Sequence, residues 1–194
     1  MFTRRTMLAL TTSSLVGSRL TSPAFAQVGP ILGDDGLYHQ SWFLDSFLEL
    51  KDDIKETTGK GKRLAIFWEL KGCPYCKETH FKNFARPDIE KFVRDNFEVL
   101  QLNVLGSKTV TDIDGTEMSE KALARKYGIR FSPTVQFLHD DETKLASKKP
   151  RDREAARAQG YLQPDHFLAM FQFVHIRAYE KMSFRKYLKK QKAS

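Results

Sequence analysis

From Arg63 to Trp68 the chain reads Arg-Leu-Ala-Ile-Phe-Trp, a short and mostly apolar run that predicts a central strand buried on both faces. Phe97 to Val104 predicts a second strand. Thr134 to Leu138 alternates as a third, with Lys144 to Ser147 as its edge partner. Helical spacing fills the intervals. Behind Ser41, read as an N-cap, the residues Trp42, Phe43, Phe47, Leu48, Leu50 and Ile54 predict an amphipathic helix over 42–57, stopped before Gly59 and Gly61. Further helices are expected over 74–84, over 87–96, from Ser119 to a stop at Gly128, and over 164–187 in one or two pieces. Residues 27–40 read as loop because of Gly29-Pro30 and Gly33-Asp34-Asp35-Gly36, and the charged stretch 148–157 reads as a solvated loop. Residues 108–117 predict a short hairpin turning at Asp114-Gly115. Strands alternating with helices, then a strand pair and a final helix, give an α/β three-layer sandwich with an N-terminal helical extension and a basic C-terminal helix.

Composition sharpens this picture. The 194 residues suit one domain, and 41% hydrophobic with 12% aromatic residues is the composition of a folded chain. No run approaches eighteen apolar residues, so no membrane-spanning helix is expected. Residues 1–26 place Arg4 and Arg5 before a mildly apolar run and end in Ala24-Phe25-Ala26, the order of a bacterial export signal cleaved after Ala26. Thr3-Arg4-Arg5-Thr6-Met7-Leu8 resembles the twin-arginine consensus, with general secretion as the other route. Either leads to the periplasm, leaving residues 27–194 as a single domain. Removing that segment leaves 29 basic against 24 acidic residues, a net +5 in place of +8. Much of the excess sits at Arg177, Lys181, Arg185, Lys186, Lys189, Lys190 and Lys192, a solvated basic face or a contact for an anionic partner or membrane surface. Nucleic acid is not expected as a partner.

The two cysteines, Cys73 and Cys76, exclude a disulfide framework and a four-cysteine zinc site. Two residues apart at the start of a helix, they form a unit: the first thiol projects from the helix end, and the second turns inward beside it. Unpaired amides and the positive dipole end favour the thiolate of Cys73, and Cys76 is close enough to resolve a mixed disulfide formed there. Pro74 suits the first helical turn. Lys71 and Lys77 add a screened positive potential. The same thiols could hold soft Cu(I), share zinc in a dimer, or be inert. No histidine among His39, His80, His139, His166 and His175 is spaced to complete a metal site.

With Trp68 before Cys73-Pro74-Tyr75-Cys76, Phe131-Ser132-Pro133-Thr134 before a strand, and Gly160-Tyr161 before the last helical region, residues 38–175 resemble the thioredoxin superfamily. Phe67 to Cys76 and Gly160 to Phe167 are similar to the periplasmic thioredoxins of sulfur-oxidation systems, the SoxW type. The resemblance implies a thioredoxin-like sandwich and thiol–disulfide oxidoreductase activity. It also implies a cis bond at Ser132-Pro133 facing the cysteines, with Pro74, Tyr75, Ser132, Pro133 and Thr134 around the substrate. Thioredoxins bury an aspartate beneath the disulfide, at a place held here by Ile66. Glu69 is the nearest acid: a proton acceptor for Cys76, or a solvated carboxylate at a strand end. No cofactor or metal is expected beyond the Cys73–Cys76 disulfide. Expected partners are protein disulfides and a membrane thiol-electron donor of the DsbD or CcdA kind, acting on a monomer. The reverse direction, disulfide donation or isomerisation, and a copper-binding thiol chaperone are the rival functions.

Overall fold

A computed structural model describes residues 29–192. The export segment and its cleavage position after Ala26 lie outside the described residues. In chain order the elements are β1 (Ile31–Leu32), β2 (Tyr38–His39), α1 (Leu50–Gly59), β3 (Arg63–Glu69), α2 (Pro74–Glu78) continued by a π-helical turn (Thr79–Phe84), α3 (Pro87–Asn96) and β4 (Phe97–Asn103). There follow β5 (Thr109–Thr111), β6 (Glu117–Ser119), α4 (Glu120–Lys126), β7 (Thr134–Leu138), α5 (Glu142–Leu145), β8 (Glu154–Gln159), α6 (Pro164–His175) and α7 (Phe184–Gln191).

The main sheet has the order β4-β3-β7-β8, with β3 parallel to β4 and antiparallel to β7. Every residue of β3 is buried, as its unbroken apolar run requires of a strand covered on both faces. Strand periodicity then divides the core in two. Ala65 and Phe67 join Val99, Val135 and Phe137 beneath α3 and α6, where Phe84, Phe97, Phe167 and Phe171 interlock edge to face. Leu64, Ile66 and Trp68 face the opposite way, onto Leu50 and Ile54 of α1 and Leu123 and Ala124 of α4. Trp68 donates its indole N–H to the Gln136 side chain at 2.9 Å, so the largest core residue is also satisfied. The three-layer arrangement and the expected β3, β4 and β7 are all present, as is the hairpin (β5–β6) that turns at Asp114-Gly115.

Four local expectations are corrected. The helix expected over 42–57 begins only at Leu50. Its first half crosses the exposed edge of β4, where the Leu44 amide donates to the Val99 carbonyl at 2.9 Å, and Leu48 adopts φ 64°. Covering a sheet edge takes precedence over helical spacing there. Side-chain packing follows the same division: Trp42 and Phe43 pack on one cluster, Leu44 and Leu48 on the other, and Phe47 is 99% exposed.

The edge partner of β7 is β8, not residues 144–147, which fall in and just after the short helix α5 capped by Asp141. The stretch 148–157 is correspondingly not a solvated loop. Arg153 is buried there, donating to Asp112 and Asp114 and to the carbonyls of Leu145, Ala146 and Lys148. Residues 27–40, expected as loop, include the two-residue pairing of β1 with β2. The C-terminal region is broken, as one of the two expected forms had it: α6 ends at His175, and the basic α7 follows after a turn through Arg177 at φ 53°.

Candidate active site

The end of β3 delivers the chain to a turn in which the Cys73 amide donates to the Leu70 carbonyl at 3.1 Å. Gly72 occupies φ 76° in that turn, a conformation that strains any side chain with a Cβ. Cys73 is therefore the N-cap of α2, with extended backbone, and Pro74 follows in the first turn, where no amide is needed. The Cys76 amide donates to Cys73 Sγ at 3.1 Å. The two cysteines are joined as a disulfide with their Cα atoms 5.3 Å apart. Cys76 is 3% exposed, whereas Cys73 is only partly covered. This is the inside–outside asymmetry that the sequence spacing predicts.

Across from the sulfurs stands the Ser132-Pro133 bond, which is cis. The Ser132 carbonyl oxygen lies 3.6 Å from Cys73 Sγ. The Pro133 carbonyl accepts from the Gly160 amide at 2.8 Å, which ties this loop to the start of the Gly160–Tyr161 segment. Tyr161 in turn stacks on Tyr75, with ring centroids 5.9 Å apart. Thr134 is buried, and its hydroxyl donates to the Phe131 carbonyl at 2.7 Å. A groove of about 650 Å³ runs beside the disulfide, lined by Cys73, Pro74, Tyr75 and Ser132 together with Leu105 and Phe131. Pro133 and Thr134 lie behind it and are not among its lining residues.

Glu69 is not a solvated strand end. It is 1% exposed, on the same face of β3 as Phe67, and each carboxylate oxygen has a partner. Oε2 accepts from Gln101 at 2.8 Å, and Oε1 meets His80 Nε2 at 2.7 Å. Gln40 donates to His80 Nδ1 at 3.3 Å, so Nε2 carries the proton that His80 gives to Glu69. His80, 0% exposed, sits one helical turn beyond Cys76. Its spacing of four from Cys76 is the only trace of this role in the sequence, and Gln40 and Gln101 leave none. Ile66 points to the opposite cluster, so no carboxylate occupies its place.

Residues 50–175 match the model of the thioredoxin-like domain family. No curated protein matches the chain. Among solved structures, a thioredoxin-fold protein from Helicobacter pylori aligns at 22% identity over 68% of this chain and 81% of its own, with a TM-score of 0.51. A thioredoxin from Thermus thermophilus aligns at 18% identity over 65% and 83%, with a TM-score of 0.49. The oxidised C-terminal domain of Neisseria meningitidis DsbD aligns at 16% identity over 63% and 87%, with a TM-score of 0.42. With the family match spanning most of the chain and enclosing both cysteines, this protein belongs to the thioredoxin-like domain family.

Proposed function

We propose that the protein is a periplasmic thiol–disulfide oxidoreductase that reduces disulfides of sulfur-oxidation proteins through Cys73 and Cys76. The observation that carries this reading is the Cys73–Cys76 disulfide at the N-terminus of α2, partly exposed at Cys73 and facing Ser132-Pro133. The reduced pair acts in two steps. The Cys73 thiolate, favoured by the Cys76 amide and the helix end, attacks one sulfur of the substrate disulfide and releases the other as a thiolate. Cys76 then loses its proton and attacks Cys73 Sγ, freeing the second substrate thiol and leaving the Cys73–Cys76 disulfide. Two electrons pass to the substrate, whose two sulfurs leave as thiolates and take up protons from solvent, while the single proton lost by Cys76 passes to its acceptor.

Glu69, held in place by His80 and Gln101, is the proton acceptor for Cys76. Tyr75, Ser132 and the backbone around Pro133 and Thr134 hold the substrate segment. The pathway rests on the similarity of residues 67–76 and 160–167 to the SoxW type. An oxidising periplasm requires that the dithiol be regenerated, and a membrane thiol-electron donor of the DsbD or CcdA kind supplies that need.

Trapping tests this reading. A Cys76→Ser protein should accumulate mixed disulfides through Cys73, and the captured partners should be cysteine-bearing proteins of sulfur oxidation. Capture mainly of newly exported folding substrates, with the native pair oxidised in cells, would instead establish disulfide donation.

A further inference from the structure

Several cations of this protein stand beside a carboxylate. Lys126 meets Asp112 and Asp114, Arg86 meets Asp88 and Asp165, and Arg157 meets Glu154. The groove beside Cys73 holds no such pair. Lys71, Lys121, Arg125 and Arg130 line it, and no acidic residue does. All four are exposed, and among the described residues none of them has a carboxylate within ion-pair distance. They arrive from separate places: Lys71 from the turn after β3, Lys121 and Arg125 from α4, and Arg130 from the segment leading to the cis proline.

Lys121 and Arg125, four apart on α4, are like charges on one helix face, an arrangement that weakens a helix unless something neutralises it. The neighbouring Lys126 shows that α4 can place a carboxylate beside a cation, because Asp112 and Asp114 hold it. Arg125 also lines an adjoining cleft with Arg151, so the positive potential continues away from the sulfurs. The apolar part of the groove is open as well: Tyr75, Leu105 and Phe131 are each more than half exposed. A cationic rim around an apolar floor, directly beside a sulfur able to exchange, is complementary to a chain that carries negative charge, an apolar side chain and a disulfide together.

We infer that the groove selects disulfides set in acidic protein segments, with an apolar residue next to the reacting cysteine and Asp or Glu on both flanks. This rests on the oxidoreductase reading and names its substrate class. The four cations raise the encounter rate of such segments and hold them in register while Cys73 attacks.

The test is single-turnover exchange between the reduced protein and three disulfide peptides of equal length and equal apolar content, flanked by Asp and Glu, by Ser and Gln, or by Lys. At low ionic strength the acidic peptide should react about tenfold faster than the neutral one, and the lysine peptide slower than both. High salt should bring the three rates together. In the Arg125→Gln/Arg130→Gln protein the acidic-to-neutral ratio should fall at least threefold. Glutathione disulfide, anionic but without the apolar flank, should react no faster than the neutral peptide. Equal rates for the three peptides, a ratio insensitive to salt in the native protein, or a preference for glutathione disulfide would overturn the inference and leave the oxidoreductase reading standing. Absence of exchange with every probe would remove both.

Discussion

At the scale of single residues, the two cysteines differ in what surrounds them, and that difference assigns their order. Cys73 is partly open and accepts an amide hydrogen bond, whereas Cys76 is covered. Alkylation of the reduced protein at neutral pH should therefore modify Cys73 first, as mass spectrometry of the labelled peptides would show. Faster labelling of Cys76 would reverse the assignment. Glu69→Gln keeps the size of the side chain and removes the proposed proton acceptor. It should slow resolution of the mixed disulfide by Cys76 several-fold while leaving its formation by Cys73 unchanged, a split visible in stopped exchange reactions. A purely structural Glu69 would leave both steps alike. The cysteines and Ser132-Pro133 were legible in the sequence because their chemistry is local or tied to a motif. The burial of Glu69 was not, since it depends on Gln40, His80 and Gln101, which only the folded chain brings together.

At the scale of elements, strands and helices whose burial follows from their own periodicity were legible: β3, β4, β7, α3 and α4 stand where apolar spacing and caps put them. The misread segments are those whose state is decided by a neighbour. Residues 41–49 follow the β4 edge, and β8, with its run of alanines and charges, becomes a strand because β7 offers it an edge. Arg153, at the entrance to β8, is the clearest case. Removing it leaves Asp112, 1% exposed, without its guanidinium partner. Arg153→Met should cost roughly 3–5 kcal/mol in chemical denaturation, the range for breaking one side of a buried ion pair.

Asp53, in the first turn of α1, has the opposite character. Burial pushes its carboxyl up to about 6 against the help of the Ser46 hydroxyl, which lies 2.7 and 2.8 Å from its two oxygens. The folded state then holds a proton that the unfolded chain gives up near the ordinary carboxylate value. Asp53 contributes stability below that value and loses it as pH rises through 6, by about 3 kcal/mol in all. In Asp53→Asn this part of the pH dependence between about 4 and 6 should disappear from the denaturation midpoint. An unchanged pH profile would contradict the burial argument.

At the scale of the whole molecule, the sheet brings together at one end a cysteine pair from the β3–α2 junction, a cis proline before β7 and the cationic face of α4. The basic α7 lies elsewhere in the fold, packing Phe184 and Tyr187 against Phe173, so its charges are separate from those of the groove. The proposed export is tested at this scale too: protein recovered from the periplasm should begin at or near Gln27, as N-terminal sequencing would show, and an intact Met1 on a cytoplasmic protein would contradict it. The central claim is that Cys73 and Cys76 exchange disulfides catalytically. Its most direct measurement is the rate at which dithiothreitol reduces a protein disulfide in the presence of a small molar fraction of this protein. The native protein should accelerate that reduction with multiple turnovers, and Cys73→Ser should abolish the acceleration. A rate no greater than that of dithiothreitol alone, or one retained in Cys73→Ser, would contradict the account.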